Sequence, residues 1–157
     1  MMHAQIPDNA PPVLRGYLHL AAAIVAPFAL LLLLSTADSP RGIVSGAVFG
    51  ASLIALFGTS AAYHLFPFGH RLRELMGRLD HSVIFVFIAG TYTPFALTVM
   101  GDQWGIPVLS VVGGLASFGV ITTLTAPASP RWIRVGLYLA IGWVGIVAVP
   151  ELLTTLP

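Results

Sequence analysis

The sequence predicts an all-α, polytopic transmembrane helix bundle of about five spans, and three observations predict it. Of the 157 residues, 57% are hydrophobic and 8% are charged, and the mean hydropathy is +0.90. Soluble domains carry about 25% charged residues, so this chain has too little charge to cover a water-facing surface. Its apolar residues fall in runs close to the roughly 20 that a helix needs to cross the hydrocarbon core. No run shows the strict alternation over about 10 residues of a membrane β-strand. Lipid offers backbone polar groups no outside partner, which leaves helices.

Residues 1–16 hold Pro7, Pro11 and Pro12 beside Asp8 and Asn9 and are expected to form an irregular cytoplasmic tail. Residues 17–157 are expected to form one transmembrane domain, with spans at about 17–36, 43–66, 82–100, 106–124 and 132–149. Asp38 to Gly42 separates the first two spans. Pro67 opens the longest polar connection, which runs to Asp80. Gly101-Asp102-Gln103 and Pro127 to Pro130 mark the last two breaks. The first apolar run is longer than a secretion-signal core and more spans follow, so it is expected to be retained.

Every Lys/Arg position is an arginine. Arg15, Arg71, Arg73, Arg78, Arg131 and Arg134 fall on one side of the threaded membrane and Arg41 alone on the other. The excess marks the cytoplasmic side. The expectation is therefore a multi-pass protein of the cell membrane with its N-terminus in the cytoplasm and Pro157 outside. A net charge of +1 argues against nucleic acid as a partner. The absence of Cys excludes disulfides and thiolate chemistry.

Threading sorts the polar groups by depth. His19 opens the first span, Ser60 and His64 close the second, and Asp80 and His81 open the third, all at the cytoplasmic face. Ser60 and His64 are four apart and share a helical face, so the hydroxyl could orient the imidazole or a metal-bound water. Imidazole is the commonest metal ligand; alone, His64 reads more readily as a hydrogen-bonded interfacial histidine. Asp80 is too costly to bury without a partner, and it reads either as a site carboxylate or as the N-cap of the third span. Gly46 and Gly50, and likewise Gly113, Gly114 and Ser117, read as close helix packing, with self-association into a homo-oligomer left open. Pro94 is expected to kink the third helix, with Thr91 or Thr93 bonding the freed carbonyls. Tyr17, Trp104 and Trp132 read as interfacial anchors. Arg71, Arg73 and Arg78 read as topology determinants, with anionic headgroup contact as a second role.

Three blocks then carry a resemblance: Ser60-Ala-Ala-Tyr63-His64, Arg78-Leu79-Asp80-His81-Ser82, and Ala89-Gly90-Thr91-Tyr92-Thr93-Pro94-Phe95. In this order and spacing they resemble the hemolysin III family, the bacterial branch of the progestin and adipoQ receptor superfamily. Weaker similarity covers Arg15 to His19 and Arg131 to Trp143. The resemblance implies a seven-helix core with zinc near the cytoplasmic face. By it, His64 matches the second-helix zinc ligand, Asp80 the third-helix carboxylate that bonds the zinc-bound water, and Ser60 the serine one turn before the ligand. The superfamily's similarity to alkaline ceramidases implies zinc-dependent hydrolysis of lipid amides, with membrane lipids as partners and a role in membrane homeostasis. The chain departs from the pattern: about five spans are present and no H-x-x-x-H follows His81, so two of three zinc ligands are missing. It reads as C-terminally truncated, and as 157 residues it is expected to be inactive and to hold no stoichiometric zinc. The alternatives are a pore-forming cytolysin and a non-catalytic regulator of bilayer properties.

Overall fold

The structure is a computed structural model that describes residues 13–100 and 102–155. The expected tail at residues 1–12, Gly101 and the C-terminal Pro157 lie outside the described residues. Five α-helices follow one another: α1 (Val13–Ser35), α2 (Pro40–Leu65), α3 (His70–Pro94), α4 (Asp102–Thr125) and α5 (Arg131–Thr155). A π-helical turn, Phe95–Val99, extends α3. No strand occurs among the described residues. Four of the helices are long and apolar enough to cross a membrane: 14–35, 40–65, 70–99 and 103–125. α1 begins at Val13, so residues 13–16 are helix and not tail.

Local chemistry sets the boundaries. Ser39 caps α2 by accepting from the Gly42 N–H at 3.0 Å, and Pro40 occupies the first helical position, where its missing N–H costs nothing. Pro67 cannot continue α2, and the chain turns through Phe66 to Gly69 into α3. Here the structure corrects the sequence reading. The polar stretch 70–80 is the first part of α3 and not a connection. Hydropathy finds the apolar part of a helix and does not find its end. The segment 70–99 has 30 residues, about 45 Å at 1.5 Å per residue, against about 30 Å of hydrocarbon. Its first turns therefore project beyond the core, and Asp80 lies inside the helix near the boundary. The N-cap of α3 is Gly69, which removes the capping role considered for Asp80.

Pro94 interrupts the regular ladder of α3. It lacks the N–H that would close the helix, and the ladder shifts to a π turn ending in a bond from the Met100 N–H to the Phe95 carbonyl at 2.9 Å. Thr91 and Thr93 donate to the carbonyls of Ile88 and Ala89 at 2.6 and 3.1 Å. Hydroxyls of Ser82, Ser110, Thr122 and Thr123 are likewise returned to their own helices, the way such groups are satisfied where water is absent.

Each helix packs on the next in sequence, and α3 also touches α5. A Cβ on Gly50 would meet Leu30 at 2.5 Å, and one on Gly46 would meet Leu33 at 3.2 Å, so both glycines set the close approach of α1 and α2. Gly113 and Gly114 do not pack this way; nothing lies within 4 Å of a Cβ at either. Between α3, α4 and α5, Phe85, Val112 and Ile141 are fully buried. The Phe85 ring lies 4.4 Å from that of Tyr138, and the Tyr92 hydroxyl donates to the Ile141 carbonyl at 2.7 Å. Outward faces remain apolar: Phe28, Leu32 and Trp143 are all more than 60% exposed, which suits lipid and not water.

A methyl on Gly119 would overlap the Phe85 ring, which the core holds in place. Gly119→Ala is expected to destabilise the bundle by about 1–3 kcal/mol through overpacking. Gly136→Ala meets nothing within 4 Å and is expected to be neutral or slightly stabilising. Thermal unfolding of the two variants in detergent checks the contrast.

Candidate functional site

The site is built where α1 begins and α2 ends. Gly16 lets the two helices touch: a Cβ there would meet Leu65 at 2.7 Å and the Cβ of His64 at 2.9 Å. One turn further along α1, His19 comes to the same place. The His19 and His64 rings stand edge to face, 6.5 Å between centroids. Phe57 packs on His19 at 5.4 Å and Tyr63 on His64 at 5.0 Å. The guanidinium of Arg73, from the projecting part of α3, lies 5.8 Å from the Tyr63 ring centre.

His64 is 9% exposed, and neither of its ring nitrogens has a hydrogen-bond partner; Nδ1 of His19 is in the same state. Leaving a buried polar atom unpaired costs about 1–3 kcal/mol, which is unusual in a molecule that returns its hydroxyls to its helices. Ser60 is buried on the same face of α2 as His64, as the spacing required. It makes no hydrogen bond to the imidazole. Asp80 reaches the group from α3: with Arg15 and Arg73 it acts electrostatically on His64. It also acts electrostatically on Tyr138 of α5.

The threading thus brings His19, Ser60, His64 and Asp80 to one end of the bundle. His81 does not join them. Its Nδ1 approaches the Gly77 carbonyl at 2.7 Å, and its ring lines a cavity with Arg134. Tyr63 and Arg73 were not anticipated at the site. Neighbouring positions in a helix point to different faces, so nothing in the spacing couples Tyr63 to His64, and Arg73 was assigned to a connection. Sequence did offer one signal, the block Ser60 to His64, which contains Tyr63.

The fit to a metal can be judged on the donors. The unpaired nitrogens of His64 suit a ligand. No group of three His, Cys, Asp or Glu side chains able to hold a metal occurs among the described residues, whereas open zinc sites use three protein ligands.

A family described as haemolysin-III related matches residues 8–157. The chain belongs to this family. The Hemolysin-3 homolog of Bacillus subtilis (strain 168) is 32% identical over 127 residues, covering 81% of this chain and 59% of the relative. Hemolysin-3 of Bacillus cereus is 32% identical over 139 residues, covering 85% of this chain and 62% of the relative. The chain therefore spans about three-fifths of the length of these relatives. No solved structure matches. The family and the four long apolar helices make this haemolysin III-type chain a multi-pass membrane protein.

An unpaired imidazole in an apolar setting weakens the fold that holds it. His64→Leu is expected to raise the unfolding temperature in detergent, in keeping with release of about 1–3 kcal/mol. A lower unfolding temperature would show that the imidazole is structural.

Proposed function

We propose that the protein carries part of a zinc-dependent hydrolytic site at the cytoplasmic face of the cell membrane, acting on lipid amides and serving membrane homeostasis. One observation supports this above the rest: the buried His64 imidazole has no hydrogen-bond partner and faces a second imidazole, with the Asp80 carboxylate in electrostatic range. His64 would supply one ligand, and no group of three such donors occurs among the described residues. When bound, zinc supplies a Lewis acid that makes water acidic enough to be deprotonated near neutral pH. With zinc bound, Asp80 would be placed to act as general base, and the Ser60 hydroxyl, one turn away on α2, to orient the water. Arg15 and Arg73 hold positive charge near His64. Lipid would reach the site laterally, at the boundary of the hydrocarbon core where α3 carries Asp80.

The relatives' names carry a second reading, a pore-forming hemolysin. A pore places polar groups along several helices; the polar groups here gather at one depth. Dye release from liposomes by the protein, equal for wild type and His64→Ala, would favour that reading.

Metal content and activity separate the roles. Plasma emission analysis of the purified full-length protein is expected to find zinc in the wild type and none in His64→Ala. Asp80→Asn is expected to keep its zinc and to lose about 100-fold or more of ceramide amide hydrolysis, the range for loss of a general base. Zinc retained by His64→Ala would overturn the proposal.

A further inference from the structure

At the same end of the bundle lies a second polar concavity, which shares Tyr63 and Arg73 with the surroundings of His64. It has a volume of about 420 Å³, and Arg73, Arg78, His81 and Arg134 line it. Several features fix and charge this shelf. The Arg78 guanidinium donates to the Leu124 carbonyl at 3.4 Å, the His81 ring approaches the Gly77 carbonyl, and Arg73 rests on Tyr63. Glu74, the one carboxylate in the lining, is 57% exposed and faces His70 at 3.9 Å. No ion pair to Arg73, Arg78, Arg131 or Arg134 forms among the described residues.

The concavity continues into another of about 550 Å³ that shares His81 and Arg134 and adds Arg131, Ile84, Val135 and Tyr138. Charge therefore gives way to apolar surface along one path, from Arg78 past Arg134 to Ile84 and to Val135, which is 53% exposed. The length of α3 puts Arg78 at the boundary of the hydrocarbon, the depth of lipid phosphates. Guanidinium groups present paired donors that match phosphate oxygens.

We infer that this shelf binds the phosphate of an anionic phospholipid headgroup, held by Arg78, Arg131 and Arg134, with an acyl chain leaving over Ile84 and Val135. The polar-to-apolar path selects a lipid over a free phosphate, which has no use for the second cavity. Neither His19 nor His64 lines it, and it needs no zinc.

Equilibrium binding of fluorescent phosphatidylglycerol to the purified full-length protein in nonionic detergent tests it, with phosphatidylcholine and inorganic phosphate as comparison probes. Phosphatidylglycerol is expected to bind more tightly than either. Arg134→Gln and Arg131→Gln are each expected to weaken it about fivefold, the equivalent of about 1 kcal/mol for one arginine near the surface. Arg71→Gln is the control, because Arg71 is exposed and lines neither cavity; it is expected to bind as the wild type does. Should Arg134→Gln fail to fold, Arg131→Gln carries the test, since Arg131 is exposed at the start of α5. Equal binding of phosphatidylcholine overturns the inference. So does equal loss in Arg71→Gln, which would mean bulk charge, or inorganic phosphate binding as tightly as the lipid.

Discussion

In hydrocarbon a polar group has no water to fall back on, and most of this architecture follows from that. Backbone groups close on themselves in five helices. Serine and threonine hydroxyls donate to carbonyls one turn back. Even the Pro94 interruption keeps its bonds, by widening to a π turn. Against so thorough a satisfaction, the unpaired atoms of His64, His19 and Ser45 stand out. Two of the three residues meet at one place. An unsatisfied imidazole is tolerated where it has another use, and this is why His64 carries more weight than its residue type alone would give it.

Small residues do the positioning. Gly16, Gly46 and Gly50 bring α1 against α2 along its length, and the first of them sets His19 beside His64. At each of them a leucine of the facing helix, Leu65, Leu33 or Leu30, occupies the space that a Cβ would take. On the other side, bulk replaces closeness: Phe85, Tyr138 and Ile141 fill the space between α3, α4 and α5. α3 is the shared wall. It presents Asp80 to the histidines and Arg78 to the shelf, and Arg73 lies near both. A carboxylate, two imidazoles and a set of arginines thus occupy one end of the bundle, where a lipid headgroup would meet them.

Hydrophobic periodicity and Arg placement were enough to read an all-helical membrane bundle, its helix order, and the gathering of His19, Ser60, His64 and Asp80 at one end. These follow from span length and from counting crossings, both of which are properties of the chain. The blocks around Ser60, Asp80 and Thr93 were also enough for the family. What hydropathy could not mark was the true start of α3, because a helix that leaves the membrane turns polar without unwinding. That single displacement recast Asp80 from a cap to a mid-helix carboxylate and turned Arg73 and Arg78 from loop charges into cavity walls. The failure of Gly113 and Gly114 to pack has the same origin: a glycine pattern states what approach is allowed, and only the neighbouring helix decides whether it is used. Whether His64 had a partner, and that His19 faces it while Arg73 rests on the neighbouring Tyr63, depended on side chains from separate helices meeting, which no spacing within one helix encodes.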